Sequence, residues 1–454
     1  MRETWRKFIK NDLTRRLYRP LRPWVRKQRR LLQSLRAAGR DEWCGFYCNF
    51  KLPPGRWDPA AKLHQWYTFT AWEADKSYAL ASLLAWPLKA PLLALRYTRA
   101  CGPELKSRSR IPLRRQFGEQ LYFAYRHFIT PRAYYFYNLH EPANRRKISL
   151  YIQDHEMYQL LVSLTADNEV QVFDDKLQFY RKCREQGLPT IPVVAFFAEG
   201  TLQEWGNEQQ GAPRRDLCVK PLRGRCGKGI EMYPYAGAGR YTAPDAALLT
   251  GEQLLDRLAA RSLQQPYILQ ERCFNHPEIA GLAPAALCTC RIVTGRRPDG
   301  SIEAYPSVLK MATGPCLTDN FATGGIAVPI HPDHGRLGNG VAKLVSTHEV
   351  DRHPTTGQRI AGTTLPYWSQ AVELCRQAHL AFADFAFVGW DVAITAQGPL
   401  LVEGNVRWGV EAMQRAHNRP LGESGFLEVF LHHMSRKYRA MPSTGSKEPA
   451  TCHH

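Results

Sequence analysis

The stretch from Phe387 to Asn405 reads FVGWDVAITAQGPLLVEGN. Two apolar runs flank a polar segment, a pattern that predicts a β-hairpin. With the turn centred on Gln397, Asp391 and Glu403 lie equally far from the centre, so their carboxylates face each other across the hairpin. Because side chains alternate along a strand, Asn405 shares the face of Glu403. Two carboxylates and a carboxamide predict a site for magnesium that also holds phosphate.

An alternative interpretation of the same stretch is an edge hairpin whose acids are solvated. Glu403, however, directly follows Leu400, Leu401 and Val402. Burying a carboxylate in such a run without a cation is costly. The metal site is therefore the favoured interpretation of the hairpin.

A second segment with phosphate chemistry lies upstream, where the strand-like run Leu217–Lys220 leads into PLRGRCGKG, ending at Gly229. Glycines let backbone N–H groups approach phosphate oxygens, and a lysine adds a point charge. The loop is not a Walker motif, because Leu222 takes the first glycine position and Gly229 follows Gly227-Lys228. Taken alone, it could equally be a structural turn.

Together these motifs resemble those of ATP-grasp enzymes. The resemblance covers roughly residues 167–437, more than half of the chain, and its motifs come in the family's order. They are Asp175-Lys176 with the helix after it and Gly187–Pro192, the VKP-glycine loop at Lys220, the run Ile268–Phe274, and the WDV…LVEGN hairpin. Three further stretches, Cys288–Thr294, Thr318–Asn320 with Gly324-Gly325, and Leu401–Gln414, are most similar to the sugar-transfer-associated group. D-alanine:D-alanine ligases are more distant relatives.

The resemblance implies ATP and Mg²⁺ as ligands, and it implies a role for each matching residue. Lys176 and Lys220 would hold the α- and β-phosphates, Glu278 would bind the ribose, and Arg291 and Lys310 would act catalytically at the γ-phosphate or an acyl-phosphate. The residues implied to close over the phosphates are Gly224, Arg225, Gly227, Lys228 and Gly229. Those implied to meet adenine are Glu271, Arg272, Cys273 and Phe274. Asp391, Glu403 and Asn405 would hold the metal.

Three of these assignments keep a plainer alternative. Lys176 could be a surface lysine at the start of a helix, and Arg291 could be the partner of a cross-strand salt bridge. Lys310 could simply be exposed. The continuation Arg407-Trp408-Gly409 departs from the Pro/Gly-rich pattern of many relatives, which affects the expected acceptor pocket more than the nucleotide site.

The domain organisation follows from charge and patterning over the 454 residues. Residues 1–36 contain thirteen Lys/Arg and two acids, more than half of the net charge of +20, in the pattern of a basic amphipathic segment. Residues 37–165 predict a mostly helical region, and residues 441–454 predict a flexible tail. Alternating helical and β-rich runs over 166–440 predict an α+β (α/β) domain. The family resemblance implies two α+β subdomains clasping ATP.

Location and partners are expectations from composition. Twelve scattered cysteines without a CxxC pair favour a reducing cytoplasm. The basic N-terminal segment predicts either a solvated helix docked on its own domain or contact with an anionic surface at the inner face of the membrane. Nucleic acid is a poorer partner, because no recognisable nucleic-acid module accompanies the charge. The apolar stretch Tyr78–Tyr97, interrupted by Pro87, Lys89 and Pro91, predicts a buried helical hairpin or an interfacial segment rather than a membrane crossing. Oligomeric state is left open.

The function implied by the resemblance is an ATP- and Mg²⁺-dependent carboxylate-amine ligase acting through an acyl-phosphate. It would join a small-molecule or saccharide-linked carboxylate to an amine in the synthesis of cell-surface polysaccharide or glycoconjugate. Two alternatives stay open at this point. One is an ATP-grasp phosphotransferase acting on an anionic hydroxyl substrate, and the other is a non-catalytic, membrane-associated nucleotide-binding scaffold.

Overall fold

The computed structural model describes residues 58–440, apart from 166–169, 207–210, 225, 226, 228, 315, 317, 320, 322, 323, 343–348, 383 and 384. The predicted basic segment 1–36, the predicted tail 441–454, and the loop residues Arg225 and Lys228 therefore lie outside the described residues. The chain divides into two compact units, with the boundary between Arg146 and Lys147.

The described part of the first unit is helical, which confirms the prediction of a helical region ahead of the α+β domain. Its helices are α1 (Pro59–Ala74), α2 (Lys76–Ser109), α3 (Leu113–Arg126), α4 (Pro131–Phe136) and α5 (Pro142–Arg146). Asp58 and Asp75 cap the first two of these helices, each through a side-chain oxygen that accepts from a backbone N–H of the first turn.

Helix α2 is the longest element of the described chain, with 34 residues, and it continues through Pro87, Pro91 and Pro103. The helical hairpin considered for Tyr78–Tyr97 is therefore wrong, because this stretch forms one uninterrupted helix. Among the described residues, α2 alone is long and apolar enough to cross a membrane, with mean hydropathy 1.4 over its most apolar window. That test weighs length and composition only, and 39% of the window is buried within the protein.

The described part of the second unit combines helices with three sheets. Its helices are α6 (Asp154–Leu164), α7 (Gln171–Asp174), α8 (Lys176–Glu185), α9 (Gly251–Arg261), α10 (Pro277–Ala280), α11 (Trp368–Ala381), α12 (Glu411–Ala416) and α13 (Phe426–Ala440), with 3-10 turns at Ile148–Leu150 and Leu421–Glu423. Its strands are β1 (Val193–Ala198), β2 (Thr201–Trp205), β3 (Leu217–Pro221), β4 (Glu231–Tyr233), β5 (Tyr235–Gly237), β6 (Arg240–Thr242), β7 (Leu248–Thr250), β8 (Tyr267–Glu271), β9 (Thr289–Arg296), β10 (Ile302–Ala304), β11 (Ser307–Met311), β12 (Ile326–Ile330), β13 (Gly340–Ala342), β14 (Glu349–Val350), β15 (Phe387–Thr395) and β16 (Gly398–Asn405).

Two of the sheets carry the candidate site. The five-stranded small sheet has the order β2-β1-β8-β3-β4, and the eight-stranded large sheet has the order β14-β13-β12-β11-β9-β15-β16 with β10 on β9. Neighbouring strands in both sheets are antiparallel. Antiparallel sheets with helices packed against them are the α+β architecture that the sequence predicts.

Each sheet has its own apolar core. The core of the large sheet includes the buried Trp390 and residues of α11, while that of the small sheet includes Leu254 and Leu258 of α9. A separate apolar cluster joins α8 to the small sheet through Leu177, Tyr180, Val193, Leu222 and Ile268. This cluster fixes the start of α8, and with it Lys176, beside the end of β3.

The segment after Arg146 packs within the second unit. Gln414 of α12 accepts from the Ile152 N–H at 3.1 Å and donates to the Ile152 carbonyl at 2.6 Å. Asp154 accepts from the backbone N–H groups of Val410 and Glu411 at 2.7 and 3.0 Å. Residues 147–165 thus lie on the second unit's side of the boundary, whereas the sequence grouped them with the helical region.

Candidate functional site

The hairpin of β15 and β16 pairs Asp391 with Glu403 and Gly389 with Asn405, which confirms the predicted register at these positions. Nearer the turn the pairing differs from the prediction, because Thr395 pairs directly with Gly398. A bulge between the two halves of the hairpin makes up the difference. Bulges of this kind re-aim side chains next to functional sites.

The three predicted metal ligands lie together on the hairpin. The Asn405 amide donates to Glu403 Oε1 at 3.2 Å. Asp391 is buried, and it lies close enough to Glu403 to affect that carboxyl's ionisation. The alternative of an edge hairpin with solvated acids is therefore excluded for Asp391.

Two positively charged side chains donate hydrogen bonds to the Asp391 carboxylate. Arg291 on the adjacent strand β9 donates through Nε to Oδ1 at 2.7 Å and through Nη2 to Oδ2 at 3.1 Å. Lys310 on β11 donates to Oδ2 at 2.9 Å. Arg291 does form the cross-strand salt bridge considered as an alternative, and Lys310 is not exposed, since only 13% of its side chain is accessible.

Burial and charge set opposite ionisation preferences for the two hairpin acids. Burial alone would raise the pKa of Asp391, but Arg291 and Lys310 outweigh it and hold this pKa well below its usual range. Burial and the neighbouring Asp391 charge raise the pKa of Glu403. Asp391 is thus held as an anion, and a further positive charge beside Glu403 would favour the ionised form of its carboxyl.

The structure adds Asp319, to which sequence reasoning assigned no role. Its carboxylate accepts from the Thr289 N–H at 2.9 Å and from the Thr289 hydroxyl, and it lies 4.0 Å from Lys310 Nζ. Burial raises its pKa, against the opposing effect of Lys310. The signal in the sequence is the Thr318–Asn320 motif, which marked the family without indicating the contact. We call Arg291, Lys310, Asp319, Asp391 and Glu403 the charged cluster.

A cleft opens between the small sheet and the loops of the large sheet. Its lining includes all four predicted adenine-contacting residues, together with Lys220 and Asp319. The apolar or neutral lining residues include Ile191, Cys218, Ile230, Met232, Leu287 and Val402. Burial raises the pKa of the Cys273 thiol to about 11, which keeps it neutral in the cleft.

Polar contacts fix the segment of the cleft that contains the four predicted adenine-contacting residues. The Arg272 N–H donates to the Asp216 carbonyl, and its guanidinium donates to the Asp216 carboxylate at 3.2 Å and lies over the Phe274 ring. Asn275, also missed by sequence reasoning, donates to the carbonyls of Ala283 and Ala286 and accepts from the Cys288 N–H. This asparagine thereby ties the end of this segment to the start of β9.

The two predicted phosphate-binding lysines lie near the end of β3. Lys220 is on β3, opposite Ile268 of β8, and lines the cleft. Lys176 donates to the Gly224 carbonyl at 3.3 Å, so it contacts the start of the glycine loop rather than serving only as a surface lysine. Burial lowers the pKa of Lys176, an effect that the nearby Glu403 partly offsets.

The described part of the glycine loop borders the cleft. Gly227 has φ of 68°, and a Cβ added to it would clash with Thr318, a cleft residue. Gly229, with φ of 76°, would place a Cβ 2.9 Å from Pro221. Glycine at these positions lets the backbone come close to the cleft.

Glu278, the predicted ribose contact, is exposed on the short helix α10 and is not among the residues that line the cleft. Two acids, Glu271 and Asp319, do line the cleft, and Glu271 pairs with Arg215 at 2.8 Å. Its place at the end of β8 makes it the nearer candidate for a ribose contact.

The side chains of Asp391, Glu403 and Asn405 are the candidate magnesium ligands. Among the described residues, no group of three or more His, Cys, Asp or Glu side chains could hold a metal ion unaided. Asp391, Glu403 and Asn405 provide two carboxylates and a carboxamide, the hard oxygen donors that Mg²⁺ uses together with substrate phosphates. The residues therefore fit a metal that arrives with a nucleotide.

Two α+β subdomains that face each other across a nucleotide-sized cleft define the ATP-grasp fold. The chain belongs to the sugar-transfer associated ATP-grasp family, whose model matches residues 157–425. No curated protein matched the chain in a separate comparison.

Several solved structures resemble the chain over part of its length. An N5-carboxyaminoimidazole ribonucleotide synthetase in its ADP complex is 11% identical, with 56% of this chain and 52% of that one covered and a TM-score of 0.31. An L-amino acid ligase from Bacillus licheniformis is 11% identical, with 58% and 48% covered and a TM-score of 0.32. The chain thus spans about half the length of these two proteins. D-alanine–D-alanine ligase from Bacillus anthracis, complexed with ATP, is 11% identical, with 60% and 69% covered and a TM-score of 0.34.

Proposed function

We propose that the protein is an ATP-dependent ligase that activates a carboxylate as an acyl-phosphate and transfers the acyl group to an amine. The observation that carries this proposal is the charged cluster next to the nucleotide cleft. Its cations, Arg291 and Lys310, are present in addition to the two predicted phosphate-binding lysines, Lys176 and Lys220.

The number of cations supports a second anionic substrate. Lys176 and Lys220 lie near each other, since the charge of Lys220 adds to burial in lowering the pKa of Lys176. Arg291 and Lys310 form a separate pair on the large sheet. A triphosphate and a carboxylate must be brought together against their mutual repulsion, and positioned cations offset that repulsion.

The reaction has two balanced steps. A carboxylate oxygen of the acceptor attacks the γ-phosphorus of ATP, so that a new P–O bond forms, the bond to the β-phosphate oxygen breaks and ADP leaves. The amine then attacks the acyl carbon, phosphate leaves with the electron pair of the C–O bond, and the amine loses a proton. Arg291 would stabilise the negative charge on the acyl oxygen in the second step.

The residues that would hold the metal are Asp391, Glu403 and Asn405. When bound with ATP, Mg²⁺ supplies charge neutralisation between the phosphates. Asp391 now accepts from Arg291 and Lys310. A metal would compete with these cations for the Asp391 carboxylate, and we expect at least one of them to turn to the γ-phosphate or the acceptor carboxylate.

The acceptor is proposed from the family alone. The description of the family as sugar-transfer associated supports a carboxylate carried by, or destined for, a saccharide. Cell-surface polysaccharide or glycoconjugate synthesis is the process in which such a ligase would act.

The test is a screen of the full-length protein with ATP, Mg²⁺ and pairs of amino acids and sugar acids. We expect ADP and phosphate to appear only when a carboxylate and an amine are both present, with a product whose mass is the sum of the two less water. A phosphorylated hydroxyl product without free phosphate would make the protein a kinase and contradict the proposal. Tight ATP binding without turnover for any pair would favour the scaffold.

A further inference from the structure

A row of leucines lies on the surface of α2. Leu80, Leu84, Leu88, Leu92 and Leu95 follow one another at intervals of three or four residues, which puts them on one side of the helix. All five are exposed. Single exposed leucines are ordinary, but five in succession form a continuous apolar patch of the kind that marks an interaction site. We call these five side chains the leucine face.

The opposite side of α2 is fixed to the protein by polar contacts. Trp86 Nε1 donates to the Ala124 carbonyl at 3.1 Å, and Gln120 Nε2 donates to Thr98 Oγ1 at 2.7 Å. These bonds join α2 to α3 and involve buried polar groups, which cannot face hydrocarbon without partners. The helix therefore cannot be surrounded by lipid while this packing persists, so one side stays against the protein and the leucine face alone is available.

The charges along α2 are positive except for Glu104 near its C-terminal end. From Ser77 to Pro103 the sequence contains no Asp or Glu, and its charged residues are Lys89, Arg96 and Arg99. Arg96 and Arg99 are exposed and lie four residues after Leu92 and Leu95, so they continue the leucine face on the next turn. Further exposed cations, Lys106, Arg108 and Arg110, follow at the C-terminal end of the helix.

Tyrosines lie at the edge of the leucine face. The Tyr125 hydroxyl of α3 donates to the Pro87 carbonyl at 2.9 Å, which places this exposed ring beside Leu84 and Leu88 along the helix. Tyr122, one turn earlier in α3, is exposed as well. Rings with an apolar body and a polar hydroxyl are enriched where hydrocarbon meets water in membranes.

We propose that the leucine face docks on a lipid bilayer that contains anionic lipids. The leucines would lie among the upper acyl chains, with the helix parallel to the surface, and the cations of its C-terminal half would contact anionic headgroups. A second copy of this chain is a poorer occupant, because the face carries only positive charge and the chain as a whole carries +20. The basic segment 1–36 would add a second, electrostatic signal, and stable anchoring takes two such signals.

The test is co-sedimentation of the full chain with vesicles of phosphatidylcholine and phosphatidylglycerol. The double variant Leu84→Gln/Leu88→Gln removes the two most exposed members of the leucine face, 69% and 76% accessible. We expect the vesicle-bound fraction to fall about tenfold or more. The matched control is Leu263→Gln/Leu380→Gln, with leucines 74% and 55% accessible in the other unit, and we expect it to bind as the unaltered chain does.

Three results would overturn the proposal. They are unchanged binding of the Leu84/Leu88 variant, an equal loss in the control, and a change in oligomeric state of the Leu84/Leu88 variant with vesicle binding intact, which would assign the face to a second copy. If the leucine variant fails to fold by circular dichroism, Arg96→Gln/Arg99→Gln replaces it. That variant should lose binding to anionic vesicles, and unchanged, salt-sensitive binding would again overturn the proposal.

Discussion

The two sides of the cleft hold their cations in opposite ways. On the small sheet, the Lys220 side chain makes no hydrogen bond or ion pair with any residue in the described ranges, although it lines the cleft. On the large sheet, the side chains of Arg291 and Lys310 are 16% and 13% exposed and both bond to Asp391. The Lys220 side chain can therefore bind a phosphate without giving up an ion pair. Lys310 and Arg291 must first break a bond to Asp391 before they can bind another anion.

The difference indicates that the cations of the large sheet contribute to stability, whereas Lys220 of the small sheet serves ligand binding. A buried cation without its carboxylate would cost several kcal/mol, so the large sheet needs its pairs to fold. The small sheet has no such need, and its lysine affects the ligand alone. Substitutions on the two sides should therefore separate stability from nucleotide affinity.

The largest effect is expected for Glu403→Gln and Asp391→Asn, which remove carboxylates from the predicted metal site. Magnesium-dependent ATP turnover should fall about 100- to 1,000-fold or more, because charge neutralisation at the phosphates is lost. Glu403→Gln should leave folding intact, since its amide oxygen can still accept from Asn405. Measured ADP release checks this, with the exposed Glu373→Gln as control. Retained turnover in both variants would mean that the hairpin does not hold the metal.

Lys310→Met should affect stability as well as turnover. It leaves Asp319 without its nearest cation and Asp391 with Arg291 alone. We expect the free energy of unfolding of the nucleotide-free protein to fall by about 3 kcal/mol. Urea denaturation of this variant and of the exposed Lys437→Met provides the measurement. Equal stability of the two would remove the contrast between the sheets.

Lys220→Met is the counterpart on the small sheet. We expect nucleotide affinity to weaken about 10- to 100-fold, the range of a lost charge-assisted hydrogen bond, while the free energy of unfolding stays unchanged. Calorimetric titration with ATP, alongside urea denaturation, distinguishes the two quantities. A large loss of stability with normal affinity would reverse the roles assigned to the two lysines.

The smallest effect concerns His379, which supports the large sheet beneath Asp391. Its ring bonds to Thr294 Oγ1 at 2.7 Å and to the Phe385 carbonyl at 2.9 Å, and Trp390 also donates to Thr294. Burial lowers the pKa of His379 to about 4, below its value of 6.5 in an unfolded chain.

Because the unfolded state then binds the proton more readily, this contribution to stability is complete above pH 6.5 and is lost as the pH falls toward 4. We expect the free energy of unfolding to drop by about 1–2 kcal/mol between pH 7 and pH 5. His379→Gln should show a flatter dependence, while the exposed His334→Gln should keep the original slope. Identical slopes for all three proteins would dissociate His379 from the acid sensitivity.

The sequence predicted the elements that carry long, regular patterns. The strand predicted at Leu217–Lys220, the helix predicted after Asp175-Lys176 and the predicted hairpin are present as β3, α8, β15 and β16. The Asp391–Glu403 pairing could be predicted from the sequence because the two strands of a hairpin are adjacent in the chain. The bulge near Val402 could not be predicted, since it depends on how β15 also pairs with β9.

Other parts of the site depend on contacts that local patterns do not contain. Strands β4 to β7 have three residues each, too few for an alternating pattern, and went unpredicted. Asp319 lies between β11 and β12, where no periodicity marks its approach to Thr289. The Arg291–Asp391 bond joins residues 100 positions apart, and its register follows only from the assembled sheet.

The most direct test of the account is a crystal structure of the full chain with Mn²⁺ and a non-hydrolysable ATP analogue, in which the metal is located by its anomalous scattering. The account predicts manganese bound by Asp391, Glu403 and Asn405, adenine beside Cys273 and Phe274, and at least one of Arg291 and Lys310 turned from Asp391 to a phosphate. Manganese bound elsewhere, or Asp391 still held by both cations with the nucleotide in place, would contradict it.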